Sequence, residues 1–200
     1  MSDALLIASL LNVSTHMTTV TVEELLKLHD DGVRHELVEG QLRVMPLACV
    51  AHGRVTSTAS WLLGNHVHET EIGVAVAAGT GFILASDPDT VRAPDVAFVR
   101  RDRVEAVGRT EHFWPGPPDF AIEVISPSGA DAPHDSRPEV HSKTLDWLAA
   151  GTLAILVLDP AERTATAYRA LDNVRTYTDG DIDLSDAVPG WVVAVADFFA

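Results

Sequence analysis

Apolar positions in this chain fall into short runs broken by Gly, Pro and acidic turns, with two longer stretches of helical spacing. Arg34 to Val38 and Gln41 to Met45 read as two strands joined at Glu39-Gly40, a hairpin signal. His52 to Glu69 predicts a helix, with Val55, Ala59, Leu62, Leu63 and His66 on one stripe. Ile72 to Ala77 and Gly81 to Ala85 read as short strands, and Asp87-Pro88-Asp89 as a turn. Asp95 to Val99 predicts a strand, residues 100–119 a loop, and Phe120 to Ile125 the next strand. After a polar loop from Ser126 to Pro138, Glu139 to Ala150 reads as a helix closed by Gly151. Leu153 to Leu158 is a continuous apolar run, the pattern of an interior strand buried on both faces. Thr164 to Arg169 and Val174 to Tyr177 read as edge strands, and Trp191 to Phe199 as a final strand or short helix.

Near the start, Thr21 with Glu24 three residues on is a capping-box signature, and Asp30-Asp31-Gly32 ends the helix it opens. Residues 1–16 read as an N-terminal extension. Their apolar stretch is preceded by Asp3 and no Lys or Arg, so the basic start of a signal peptide is missing. Residues 17–200 form a single α/β domain.

Composition narrows the function classes. With 46% hydrophobic and 22% charged residues, the chain is an ordinary globular protein. No apolar run approaches the ~20 residues of a membrane span, so no membrane partner is expected. The single cysteine, Cys49, excludes an internal disulfide and a cysteine-cluster zinc site. Nothing demands an oxidising compartment, and a cytoplasmic location is expected. The net charge of −15, from 14 basic and 29 acidic residues, weighs against a broad basic surface for nucleic acid. It leaves open an enzyme that meets phosphate through a metal, because a hard cation needs carboxylates.

Several polar residues sit where apolar ones belong. Glu123 interrupts the strand Phe-Ala-Ile-Glu-Val-Ile, whose two faces are otherwise apolar. A buried carboxylate without a partner costs several kcal/mol or gives up its charge. Glu123 therefore escapes at the strand end, pairs with an arginine, or holds a metal. Asp95 alone is an ordinary strand-start residue, but beside Glu123 it can converge on one cation. Lys143 shares a helical face with Val140 and Trp147, so it either snorkels to water or serves the same site. Glu36, mid-strand, is a solvent-facing hairpin residue or a further acidic group there. His52 reads as a capping or packing histidine.

These residues resemble the Uma-two family of bacterial restriction endonucleases, within the PD-(D/E)XK nuclease superfamily. His35-Glu-Leu-Val-Glu-Gly-Gln-Leu looks like the family's first motif, and His52 matches a histidine that opens its next helix. Val91-Arg-Ala-Pro-Asp-Val-Ala-Phe-Val looks like its "PD" motif, and Pro118-Asp-Phe-Ala-Ile-Glu-Val-Ile-Ser-Pro-Ser is the most specific segment. Ile125 stands where the simple superfamily pattern has a lysine. Lys143 fits a lysine relocated to the following helix.

The resemblance implies a restriction-endonuclease-like α/β (α+β) fold, a mixed central sheet flanked by helices. It implies a metal-dependent endonuclease acting on DNA, and a homodimer. Mg2+ or Mn2+ would be held by Asp95, Glu123 and a backbone carbonyl at Val124 or Ile125. Lys143 would orient water or stabilise charge, and Glu36 would assist or hold Lys143. Arg92, Arg100, Arg101, Arg103 and Arg109 cluster around the PD segment as candidate phosphate contacts. The alternatives are a catalytically inactive nuclease-fold binding module and a metal-dependent hydrolase of a small phosphodiester.

Overall fold

The computed structural model describes residues 19–28, 34–45, 47–126 and 136–200. The N-terminal extension, the Asp30-Asp31-Gly32 stop and most of the loop expected after Ser126 lie outside these residues. The short helix α1 (Val22–Lys27) starts on the expected capping box. The Thr21 hydroxyl accepts the Glu24 N–H at 3.3 Å, and the Glu24 carboxylate accepts the Thr21 N–H at 2.9 Å.

Strands β1 (Arg34–Val38) and β2 (Gln41–Met45) form the expected hairpin. Glu39 and Gly40 both have positive φ, +50° and +75°, as a tight two-residue hairpin turn requires. Helix α2 (Val50–Thr70) follows, then β3 (Gly73–Ala77), β4 (Phe82–Ala85), β5 (Thr90–Arg92) and β6 (Val96–Arg100). Next come α3 (Arg101–Val107), β7 (Trp114–Pro115), β8 (Phe120–Val124) and α4 (Arg137–Ala150). The chain closes with β9 (Ala154–Asp159), β10 (Thr164–Ala170), β11 (Asn173–Tyr177), β12 (Asp181–Asp183), β13 (Val192–Ala194) and a 3-10 helix (Val195–Phe199).

The described strands form three sheets. A six-stranded sheet runs β11-β10-β9-β8-β6-β3, a five-stranded sheet β2-β1-β5-β4-β7, and β12 pairs with β13. The six-stranded sheet is mixed, because β8 and β9 are parallel while its other pairs are antiparallel. Strand β9 is interior and buried along its whole length, as its apolar run predicts.

Alternation divides the core. Phe120, Ile122 and Val124 of β8 join Val55, Ala59, Leu63 and Val67 of α2 in one cluster. Ala121 of β8 joins Phe82 and the α4 residues Val140 and Trp147 in the other. Glu123 has the parity of Ala121, so it points toward α4.

The structure corrects several expectations. Residues 100–119 hold α3 and β7 rather than a loop alone. Helix α3 has no side-chain cap and buries no residue. Arg103 anchors it, donating to Asp119 at 3.0 Å and to the Pro117 carbonyl at 2.7 Å. Of the two strands expected at edges, β10 is interior and β11 is an edge. On α2 the buried stripe ends in Val67, not His66, whose Nε2 lies 2.9 Å from the Pro189 carbonyl. Strands β5 and β12 are three residues each, too short for a period to show. Among the described residues, no helix is long and apolar enough to cross a membrane.

Candidate active site

The chain leaves the five-stranded sheet at the end of β5 and enters the six-stranded sheet at β6. The crossing segment, Ala93-Pro94-Asp95, carries much of the polar cluster. Val96 pairs with Ile122 across β6 and β8, so Asp95 stands one step beyond, opposite Glu123. The Asp95 carboxylate accepts the Val124 N–H at 2.8 Å. Its Oδ2 also lies 3.3 Å from Nε2 of His52, in the first turn of α2. Asp95 is thus fixed from two elements.

Glu123 is fully buried and held from α4. Trp147 Nε1 donates to its Oε1 at 2.7 Å, and Lys143 Nζ lies 2.8 Å from its Oε2. Lys143 is 2% exposed, so the snorkelling reading is excluded. Its ammonium turns inward, donates to the Ala93 carbonyl at 3.0 Å and lies 3.3 Å from Glu36 Oε1. Glu36 is buried too, which excludes its solvent-facing reading. It accepts the Ala93 N–H at 3.2 Å and Arg92 Nη1 at 2.8 Å.

Burial and charge compete throughout. At Glu36, burial favours the neutral acid, but Lys143, Arg92 and their hydrogen bonds outweigh it and hold the carboxyl below its ordinary range. At Asp95 burial again opposes ionisation, and His52, Lys143 and the Val124 N–H overcome it. At Glu123 burial wins: the carboxyl is pushed up to about 8, with Asp95 adding to the rise and Lys143 pulling against it. Burial would strip the proton from Lys143, but Glu123, Glu36 and Asp95 together hold its ammonium well above the usual lysine range. Lys143 keeps its positive charge at neutral pH, because the ionised Glu36 and Asp95 stand beside it and Glu123 bonds it directly.

Glu36, Asp95, Glu123 and Lys143 are therefore brought together from β1, the β5–β6 crossing, β8 and α4. The two backbone candidates differ. Ile125 directs its N–H to the Leu158 carbonyl on β9, whereas Val124 directs its N–H to Asp95. Within a strand, the N–H and C=O of one residue point the same way, so the Val124 carbonyl faces the Asp95 side.

Arg92 departs from its expected part. It is 2% exposed and faces inward. Besides Glu36, it reaches Glu139 at 3.1 Å and forks onto Asp146, with Nε at 2.8 Å and Nη2 at 2.6 Å. It ties β1 to α4 and so sets the approach of Lys143 to Glu36. Arg100 and Arg103 engage Asp119 at the other end of β6. His52, Arg92 and Trp147 are the site residues that sequence reasoning underrated. Trp147, one helical turn after Lys143, was the legible one.

Among the described residues, no group of three or more His, Cys, Asp or Glu is arranged to hold a metal. A cation here would rest on two carboxylates, a backbone carbonyl and water. That donor set suits magnesium, which takes one or two carboxylates and keeps several waters. Oε2 of Glu123 is engaged by the Lys143 ammonium at 2.8 Å, and a carboxylate oxygen has a second lone pair to offer a cation.

No curated protein matches the chain. The solved structure of a putative nuclease belonging to DUF820, from Anabaena variabilis ATCC 29413, superposes with a TM-score of 0.75. It is 22% identical and covers 90% of this chain and 97% of its own, so the two share a fold. The model of the Uma2 family, described as putative restriction endonuclease, matches residues 22–196. From the start of α1 into the 3-10 helix, this chain belongs to the Uma2 family.

Proposed function

We propose that this protein is a metal-dependent nuclease that hydrolyses phosphodiester bonds in DNA. The observation that carries the reading is the burial of Lys143 between Glu123 and Glu36, beside Asp95, at the crossing between the sheets. An inward lysine among carboxylates on three separate elements is expensive to build and serves no packing need that an apolar side chain would not meet. Family membership supports the same reading.

Asp95, Glu123 and the Val124 carbonyl would hold Mg2+ or Mn2+; bound there, the ion would polarise the phosphoryl oxygens and favour ionisation of water. The protein's own groups do the rest. The Val124 N–H and His52 fix the Asp95 carboxylate, and the Trp147 indole fixes that of Glu123. Lys143 places a permanent positive charge where negative charge develops on the phosphorus oxygens. Glu36, locked by Arg92 and the Ala93 N–H, aims the Lys143 ammonium.

The net charge of −15 favours a second reading, a binding module that keeps the fold without the chemistry. Incubation with duplex DNA, single-stranded DNA and a small phosphodiester, each with and without Mg2+ or Mn2+, separates the readings. Metal-dependent DNA cleavage supports the nuclease. Cleavage of the small diester alone points to a small-molecule hydrolase, and DNA binding without turnover to the module.

A further inference from the structure

Glu36, Asp95, Glu123 and Lys143 are each no more than 4% exposed. A nuclease with chemistry this deep must admit part of its substrate through an opening narrower than a duplex. A cavity of about 220 Å3 lies at the end of the five-stranded sheet where β5 crosses to β6. Glu36 and Ala93 stand in its wall. The Ala93 carbonyl is the one that accepts Lys143, so a single peptide separates the cavity from the lysine ammonium.

Three further residues give the cavity its chemistry. Phe113 contributes an aromatic ring, and Arg34 a guanidinium. Gly81 lets the Phe113 ring lie against the backbone. A Cβ at Gly81 would come 2.5 Å from Phe113 Cδ1, so any larger residue must turn the ring out of its place. The volume is below the ~300–1,000 Å3 of pockets for drug-sized ligands. It suits one planar ring system and excludes a base pair. An aromatic face accepts any nucleobase by stacking, and a guanidinium can stack on it or donate to its acceptor edge. Enzymes that act on a base take it out of the stack, at least cost where it is already unpaired, and a base-sized recess beside a scissile phosphate would ask the same of its nucleotide.

We propose that this cavity holds one unstacked nucleobase of a nucleotide flanking the scissile phosphate, so that the substrate is single-stranded or locally unpaired DNA. This rests on the nuclease reading above. Phe113 is the stacking platform, Arg34 the polar anchor, and Gly81 the residue that keeps the platform in place.

The test has a binding arm and a cleavage arm, each on the wild-type protein, Gly81→Val and Phe113→Ala, with circular dichroism as a check on folding. Phe113→Ala carries the test if Gly81→Val does not fold. In the first arm, calorimetry compares dAMP and dTMP with deoxyribose 5-phosphate, which lacks a base. The expected result is nucleotide binding at least about 10-fold tighter than that of the abasic sugar phosphate, with most of that margin lost in both variants. Equal affinity for the two ligand types, or nucleotide binding unchanged in both variants, overturns the proposal. In the second arm, the wild-type enzyme should cleave a single-stranded or mismatched oligonucleotide faster than the matched duplex. The variants should raise KM about 10-fold with kcat little changed. DNA cleavage with base-independent binding removes the cavity from the account and leaves the nuclease standing. Base-dependent binding without any cleavage does the reverse.

Discussion

Replacing Lys143 with methionine removes the one ammonium at the centre of the cluster while keeping most of its stem. Glu36 retains Arg92 at 2.8 Å and the Ala93 N–H at 3.2 Å. Glu123 retains only the Trp147 indole. Because Glu123 is fully buried, loss of its cation pushes its carboxyl further toward the neutral acid, which limits the damage. Breaking a buried pair from one side costs about 3–5 kcal/mol. A domain stable by about 5–15 kcal/mol survives that loss except at the low end of the range, which is why the assay is made on protein shown to be folded. If Lys143 carries charge in the transition state, turnover should fall about 100-fold or more, comparable to removing one oxyanion donor. The affinity for Mg2+ should hold or rise, because a neighbouring positive charge has gone. The assay combines urea denaturation, metal titration and DNA cleavage on folded protein. Wild-type turnover in Lys143→Met would refute the catalytic role. Wild-type stability would refute the buried pair.

Three other perturbations test the frame around it. Trp147→Phe should keep the edge contact with Phe82 but strand Glu123 Oε1, lowering stability by about 1–3 kcal/mol in chemical denaturation; no change would contradict the hydrogen bond. Glu36 has its folded-state pKa lowered from 4.5, so its stabilising contribution is full above about that pH and is lost as pH falls through the lower folded value. The melting-temperature gap between wild type and Glu36→Gln should therefore be wide at neutral pH and close in acid, and a gap that widens in acid would contradict the assignment. Gly73→Ala would place a Cβ 2.1 Å from the Val99 carbonyl across the β3–β6 pair, which should destabilise by about 1–3 kcal/mol in thermal melts; a neutral outcome would contradict that close approach.

The elements written into the sequence were those with a local cause. The capping box at Thr21, the hairpin at Glu39-Gly40 and the apolar run in β9 each carry their reason within a few residues. So did the anomaly of Glu123, because a charged residue on a doubly buried strand needs a partner wherever it lies. What stayed hidden was held by distant residues. Helix α3 depends on Asp119, eighteen residues after its first residue Arg101, and β5 gains its strand character from β1 and β4. Arg92 read as one of five arginines around the PD segment, a candidate phosphate contact. Its inward turn follows from Glu36, Glu139 and Asp146, which only the folded chain brings to it. Likewise His52 lies 43 positions before Asp95, and no spacing rule joins a helix's first turn to a strand's entry on the far side of α2.

The central claim is that Asp95 and Glu123 form a metal-dependent centre for phosphodiester hydrolysis, and Asp95→Asn tests it most directly. The asparagine keeps the size of the side chain and can still accept the Val124 N–H, so the fold should survive. It removes the negative charge that a hard cation needs. The measurement is the rate of DNA cleavage by wild type and Asp95→Asn across a Mg2+ titration, with a chelator as the zero point. The account predicts cleavage by the wild type that appears only with Mg2+, and none by Asp95→Asn at any Mg2+ concentration where the variant remains folded. Equal cleavage by the two proteins, or wild-type cleavage undiminished by the chelator, would contradict it.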